Sequence, residues 1–244
     1  FNYICNPMLK KARKMILDGM LGEIRGFRGI HAEDYMASST SPYTWRHDPV
    51  GGGALADLGS HIIATAEFLV GPIKKVLGDC VTSIKTRKDI YGTEWNIKVD
   101  DVSRAFIKFE NGASGSIEAN WIATGRKMQH DFEIYGSKGA IFFSQERFNE
   151  LLFYQNDDPA GQQGFRTIFA SPDHEPYGRF CVAPGHQLGF GDLKAIEVKE
   201  FVDSIAGITD EPFNFDAGLR VQCLVELIQQ SSIETKWLSL GEDK

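Results

Sequence analysis

The central block of the chain, residues 73–170, most constrains the fold because it alternates short apolar runs with turn sequences. The runs are KKVLGDCVTSIK, VSRAFIKF, ASGSIEANWIA, HDFEIYG, AIFFS and LLFYQ, with Asn-Gly at 111–112 and GSKG at 136–139 between neighbouring runs. Alternating or continuous apolar runs of this length are typical of β-strands, and Asn-Gly is a preferred hairpin turn. The block therefore predicts a largely antiparallel sheet.

Helical patterns flank this block. Asn6 and Pro7 form an N-cap and first-turn pair, and Gly71 with Pro72 ends a later helix. The predicted helices cover residues 7–21, 54–70, 191–206 and 216–234, a strand covers 23–35, a loop covers 37–53, and a short strand lies in KWLSL at 236–240. The last helix is expected to be apolar along Leu219, Cys223, Leu224, Leu227 and Ile228. No repeat or linker interrupts the chain, so it predicts one α+β domain whose open sheet has helices on one face.

Composition narrows the function. The 244 residues are 42% hydrophobic and carry a formal net charge of −7, without a basic block, so nucleic-acid and membrane partners are not expected. Four widely spaced cysteines form no C-x-x-C pair, which favours reduced thiols in a cytoplasmic protein over a zinc or disulfide framework.

The segment GGGALADLGSHII at 51–63 contains Gly51, Gly53 and Ala56 in the spacing of a dinucleotide-binding loop. That loop needs a buried strand before it and an acidic residue about 20 positions later. Here WRHDPV precedes the glycines, and Gly-Pro occupies the position expected for the acid. The favoured interpretation is that the glycines let the backbone turn tightly into a helix.

Asp57 and His61 lie four residues apart on the helix predicted to follow these glycines, so they project from one face at the edge of the core. A carboxylate beside an imidazole can fix its tautomer and raise its pKa, which would suit proton exchange with a substrate hydroxyl. Spacing alone favours an ordinary surface pair, because such i,i+4 contacts are common, and both interpretations stay open at this point.

The other histidines carry weaker signals. His47 is predicted to be a solvated loop residue, and His130 is predicted to lie at a solvated, charged strand edge. His31, Glu33 and Asp34 could form a metal site with His61, but no H-E-x-x-H or comparable spacing occurs, so no metal site is predicted.

Five segments together resemble the C-terminal part of the glucose-fructose oxidoreductase / inositol dehydrogenase family, written Gfo/Idh/MocA. They are FNYICNP at 1–7, ILDGMLGEIRGFRG at 16–29, TWRHDPVGGGALADLGSHII at 44–63, GSKGAIFF at 136–143 and SSIETKWLSL at 231–240. The resemblance implies a C-terminal domain of the dihydrodipicolinate reductase-like type, which follows a Rossmann domain that binds NAD or NADP.

The resemblance also assigns parts of the chain. Residues 1–7 would be the remnant of the last Rossmann strand and linker, and residues 8–244 would form the substrate-binding and oligomerisation domain. The family's E-K-P motif does not occur in the sequence. These 244 residues by themselves are therefore expected to be inactive and to bind no dinucleotide tightly.

By the same resemblance, His61 would be the acid/base and Asp57 would hold the substrate hydroxyl. Tyr3, Trp45, Arg46 and His186 are the remaining substrate-binding candidates. For Trp45 and Arg46, loop packing and solvent exposure are the alternative. For the segment of His186, the alternative is the capping of the following helix by Asp192.

The leading hypothesis is the substrate-binding and oligomerisation part of an NAD(P)-dependent dehydrogenase that oxidises a hydroxyl of a sugar or polyol. The alternatives are a non-catalytic carbohydrate-binding or interaction protein and, third, a metal-assisted hydrolase using Asp57 and His61. A homo-oligomer, dimer or tetramer, is expected through the open sheet face. The sequence does not select among glucose-like sugars, inositols and other polyols, or between NAD and NADP.

Overall fold

A computed structural model describes residues 1–209 and 213–241 of the chain. The helices are α1 (Pro7–Leu17), α2 (Ser60–Val70), α3 (Phe190–Ile205) and α4 (Phe215–Glu234). The strands are β1 (Ile24–Ala32), β2 (Ile73–Val81), β3 (Thr86–Lys88), β4 (Glu94–Asn96), β5 (Val102–Phe109), β6 (Ser114–Asn120), β7 (Gln129–Gly136), β8 (Gly139–Ser144), β9 (Glu150–Gln155), β10 (Arg166–Phe169) and β11 (Leu238–Ser239). The predicted domain over 8–244 includes residues 210–212 and 242–244, which lie outside the described residues.

Nine strands form one sheet in the order β10-β9-β8-β7-β1-β6-β5-β2-β11, and β3 pairs with β4 in a separate hairpin. Every pairing in the large sheet is antiparallel except that of β1 with β6. The predicted hairpins at 111–112 and 136–139 join β5 to β6 and β7 to β8. The predicted α+β class with a mostly antiparallel sheet is confirmed, whereas the insertion of β1 between β6 and β7 was not foreseen.

The core lies between the helices and one face of the sheet. Met8 and Leu9 of α1 and Ile62 of α2 are fully buried there, together with Phe27 and Phe132 of the central strands. Burying one such side chain contributes roughly 1.5–3 kcal/mol. No helix in the described part of the chain is long and apolar enough to cross a membrane.

The other face of the sheet is open. Phe106 is 61% exposed there, and Arg28 and Arg104 pair with Glu133 and Glu118 across neighbouring strands. A cavity of about 770 Å³ lies over these side chains. This cavity lies on the open face of the sheet, and none of the predicted site residues line it.

Helix α4 packs largely on the predicted face. Leu224 and Ile228 are buried, and Cys223 and Leu227 are half-buried. Leu219 is instead 64% exposed, and Val221 and Val225, which the prediction did not include, are buried. The hydroxyl of Ser231 accepts a hydrogen bond from the backbone N–H of Gly78, and a Cβ at Gly78 would lie 2.3 Å from a carbonyl of α4, so the helix lies close against β2.

The first residues also differ from the prediction. Asn2–Cys5 form a 3-10 helix rather than the end of a strand, with the N–H of Ile4 bonded to the carbonyl of Phe1. These residues are buried against α3 and α2. As predicted, Asn6 caps α1, because its side chain accepts a hydrogen bond from the N–H of Met8.

Candidate active site

The glycine-rich segment forms a closed turn. The N–H groups of Gly52 and Gly53 donate to the carbonyls of Asp48 and Arg46, at 3.0 and 2.9 Å. Gly53 has a φ of +105°, and a Cβ on it would lie 2.3 Å from Oδ1 of Asp100. Two of the glycine N–H groups are thus already bonded, and a carboxylate faces the turn where a phosphate would need positive potential. The turn serves to enter the helix, which confirms the favoured interpretation.

A short π-helix, Leu55–Gly59, follows this turn and leads into α2. The N–H of Ser60 bonds to the carbonyl of Leu55, five residues earlier, and Oδ2 of Asp100 accepts from the N–H of Leu55 at 2.8 Å. Burial raises the pKa of Asp100. π-Helical turns are rare and often occur at functional sites. This one carries Asp57 and places His61 in the first turn of α2.

Asp57 is held by two side chains of the preceding loop. Its Oδ2 accepts hydrogen bonds from Nε of Arg46 at 2.8 Å and from the hydroxyl of Tyr35 at 2.6 Å. Trp45 lies against the guanidinium of Arg46, 4.4 Å from the ring centre, and is 67% exposed. Burial, followed by the hydrogen bond to Asp57, raises the pKa of Tyr35. Sequence reasoning missed Tyr35, whose only signal was its place at the end of the predicted strand.

Arg87 of β3 holds the loop that supplies these two partners. Its guanidinium is buried and donates to the carbonyls of Met36, Ser38 and Ser41 at 2.7, 2.8 and 3.1 Å. The three carbonyls lie between Tyr35 and Arg46 in the chain. Arg87 therefore fixes the shape of the loop whose two ends converge on Asp57.

His61 lies in a cluster of four rings, Tyr3, His31, His61 and His130, hereafter the ring cluster. The ring centre of His61 lies 4.7 Å from that of Tyr3 and 5.6 Å from that of His31. Its Nδ1 is buried without a hydrogen-bond partner, and part of the ring remains exposed. The predicted site residues Tyr3 and His61, 58 positions apart, are thus brought into contact.

The ionisation of His61 differs from the expected one. Burial, and then the neighbouring His31 and Lys194, lower the pKa of His61 to about 3. The sequence predicted that Asp57 would raise this pKa. Instead, the carboxylate points to Arg46 and Tyr35, and in the described chain it makes no hydrogen bond to His61. The imidazole is consequently neutral around pH 7.

His130 is fully buried rather than solvated. Strand β7 pairs with β1 in the interior of the sheet, where His130 lies opposite His31. Its Nε2 lies 2.9 Å from the hydroxyl of Thr65, and its ring stacks on Tyr3 at 5.0 Å. Burial lowers its pKa well below the ordinary value. Among residues 1–209 and 213–241, no three His, Cys, Asp or Glu side chains form a group that could hold a metal ion.

His47 and His186 have contrasting environments. His47 is buried, contrary to prediction, because its Nδ1 accepts from the N–H of Thr44 at 3.0 Å and its ring packs near Trp121. The side chain of His186 is exposed, and its carbonyl accepts from the hydroxyl of Tyr177. The predicted cap of α3 is present, since Asp192 accepts from the N–H of Gly189 at 2.7 Å.

Comparisons with known proteins agree with this fold. A family model described as the GFO/IDH/MocA C-terminal domain matches residues 9–142. The levoglucosan dehydrogenase of Pseudarthrobacter phenanthrenivorans is 35% identical over 99% of this chain and 66% of its own length. A solved levoglucosan dehydrogenase in complex with NADH and levoglucosan has a TM-score of 0.94 at 35% identity, covering 99% of this chain and 65% of that one.

A solved NAD-binding oxidoreductase from Klebsiella pneumoniae also has a TM-score of 0.94, at 33% identity over 100% of this chain and 66% of its own. The chain spans about two thirds of the length of these relatives.

Proposed function

Because this chain belongs to the Gfo/Idh/MocA family of oxidoreductases, we propose that it is the substrate-binding and oligomerisation part of an NAD(P)-dependent dehydrogenase acting on a hydroxyl of a sugar or polyol. The observation that carries the proposal is the neutral imidazole of His61, a half-buried residue, four positions after a carboxylate that Arg46 and Tyr35 already orient. Relatives solved with NADH, levoglucosan and L-sorbose support both the cofactor class and the substrate class.

Oxidation of an alcohol removes a hydride and a proton. A nicotinamide, when bound, accepts hydride, so the protein must handle the proton. We assign this proton to Nε2 of His61, because Nδ1 of the same ring is buried. A pKa this far below neutral pH makes the imidazole of His61 a weak base toward the hydroxyl, whereas in the reverse direction its imidazolium is a strong acid toward a carbonyl oxygen.

Asp57 is proposed to position the substrate. Its Oδ2 takes both protein hydrogen bonds, and its Oδ1 has no partner among the described residues. Oδ1 can therefore accept a hydrogen bond from a sugar hydroxyl, while Arg46 and Tyr35 hold the carboxylate in place. The exposed Trp45 offers a flat apolar face beside a guanidinium, a combination suited to the C–H and hydroxyl surfaces of a sugar.

We propose that the dinucleotide is bound mainly by a Rossmann domain outside these 244 residues. In this chain the glycine turn bonds its own backbone and faces Asp100, so it does not fit a pyrophosphate. Tyr3 packs against His61, which supports a place for residues 1–7 at the border of such a domain.

The test measures turnover in a protein that carries this chain together with a nicotinamide-binding domain, using levoglucosan and other sugars with NAD or NADP. His61→Ala and Asp57→Asn are each expected to lower kcat by about 10²-fold or more, the usual scale for a positioned acid/base. His174→Ala, outside the ring cluster, is the matched control. Sugar binding without turnover in the unaltered protein would favour the carbohydrate-binding alternative, and near-normal kcat in both site variants would refute the assignment.

The open sheet face is proposed to join copies of the chain into a homo-oligomer. Phe106 and Trp237 are exposed on it beside paired charges. Light scattering at micromolar concentration is expected to give a dimer or tetramer, and Phe106→Lys is expected to shift the mass towards the monomer. Val198→Lys, an equally exposed change on α3, is the control. A monomeric mass for the unaltered chain would exclude this interface.

A further inference from the structure

Both ring nitrogens of His31 face hydrogen-bond acceptors. Nδ1 lies 3.1 Å from the carbonyl oxygen of Leu58, and Nε2 lies 3.2 Å from Oε1 of Glu33. The ring is fully buried, so water does not complete either bond. His31 belongs to the ring cluster, but the proposed reaction gives it no role.

The chemistry of these partners fixes the number of protons that the pair must hold. A backbone carbonyl only accepts, so Nδ1 of His31 carries a hydrogen. A neutral imidazole then has no hydrogen on Nε2, and an ionised carboxylate has none to give. The contact with Glu33 is a hydrogen bond only when one further proton is present, either on Nε2 or on the carboxyl oxygen.

Several titratable groups surround this extra proton. His61 faces it from α2, His130 faces it from β7, and Tyr3 faces it from the first 3-10 helix. Farther out, Lys194 acts on His61. Burial, and after it the nearby His31, lowers the pKa of both neighbouring histidines. The side chain of Glu33 is 21% exposed and connects the buried pair to solvent.

We propose that Glu33 and His31 are positioning residues that hold one proton beside His61 and release it to solvent through Glu33 as His61 takes the proton of the substrate hydroxyl. This inference rests on the proposed function. The substrate O–H bond breaks and an N–H bond forms on His61, while the shared proton passes from the pair to water. The hydride passes to the nicotinamide dinucleotide. The number of protons in the ring cluster therefore stays constant, and two neighbouring imidazolium ions do not form.

The first experiment is ¹⁵N and ¹³C NMR of the 244-residue chain at pH 7.5, with His31 assigned by its loss in His31→Gln. The expected spectrum shows either two protonated nitrogens on His31 or a protonated Glu33 carboxyl. In Glu33→Gln the amide N–H donates to a bare Nε2, so the extra proton is lost while the contact is kept. Asp34→Asn, which removes the adjacent charge without touching His31, is the control. A neutral His31 beside an ionised Glu33 in the unaltered chain would overturn the proposal.

The second experiment tests the positioning role. With the shared proton on His31, the NMR titration midpoint of His61 is expected to rise in Glu33→Gln, because the ring centred 5.6 Å from that of His61 then loses its positive charge. In the protein with its nicotinamide-binding domain, kcat is expected to fall about tenfold with KM changed less than threefold, and Asp34→Asn should change neither. An unmoved midpoint with unchanged kcat would refute the role.

The two proposals fail in different ways. If turnover survives loss of His61 while NMR still finds the extra proton, the proposed function fails and the proton-holding pair stands. If turnover depends on His61 but the extra proton is absent, the pair fails and the proposed function stands.

Discussion

Because the imidazole of His61 is buried and held neutral, the free energy of unfolding is expected to decrease at acid pH. The unfolded chain binds a proton there with the ordinary pKa of 6.5, whereas the folded chain does so only near 3. Above pH 6.5 both states are unprotonated, and the group has no effect on stability. As the pH falls below 6.5, the unfolded state binds more protons, so the free energy of unfolding decreases.

The size of this decrease in the free energy of unfolding follows from the two pKa values. At pH 5.5 the protonated form of the unfolded histidine outnumbers the neutral form about ten to one, while the folded histidine is still neutral. His61 therefore lowers the free energy of unfolding by about 1.4 kcal/mol relative to pH 8. The assay is urea unfolding of the 244-residue chain, followed by circular dichroism at pH 8 and pH 5.5. His61→Gln has no proton to gain. The stability difference between the variant and the unaltered chain should therefore shift by about 1.4 kcal/mol in favour of the variant at pH 5.5.

The control is His186→Gln, which alters an exposed side chain. Its stability difference from the unaltered chain should be the same at both pH values. If the His61→Gln difference is also the same at pH 8 and pH 5.5, the imidazole is not held neutral by its surroundings. The pKa argument for its role in proton transfer would then fail.

Three further predictions follow from the same contacts. Gly53→Ala should lower the free energy of unfolding by more than Gly51→Ala, because both have positive φ but only a Cβ at Gly53 meets Asp100; equal losses in urea titrations would contradict the clash. Arg87→Met should lower the free energy of unfolding by about 2–4 kcal/mol, because it leaves buried carbonyls without a donor. A loss below about 1 kcal/mol in urea titrations would show that the loop keeps its shape without Arg87. Tyr35→Phe should raise KM for the sugar several-fold with a smaller change in kcat, because it removes one of the two hydrogen bonds that orient the carboxylate of Asp57. If steady-state kinetics show that kcat alone falls, Tyr35 acts in the chemical step instead.

Much of the fold could be predicted from local pattern. The cap at Asn6, the turns at 111–112 and 136–139 and the four helices lie where their residues indicated. Each of these features depends on interactions within a few residues, so the sequence contains the physical cause in one window. The close approach of α4 to β2 depends instead on Gly78 of a distant strand, and no window contains both.

The candidate site divides in the same way. The sequence by itself determined that Asp57 and His61 lie on one helix at the edge of the core, and it carried the family resemblance. Only the tertiary structure decided the partners and surroundings of these two groups. It directed Asp57 to Arg46 and Tyr35. It also buried His130 and brought His31 and Tyr3 against His61. The reason is that helical spacing is a property of neighbours in the chain, whereas a pKa is set by loss of water and by charges from any part of it. The ring cluster joins residues from position 3 to position 130, so its effect on His61 could not be read from the segment that contains that residue.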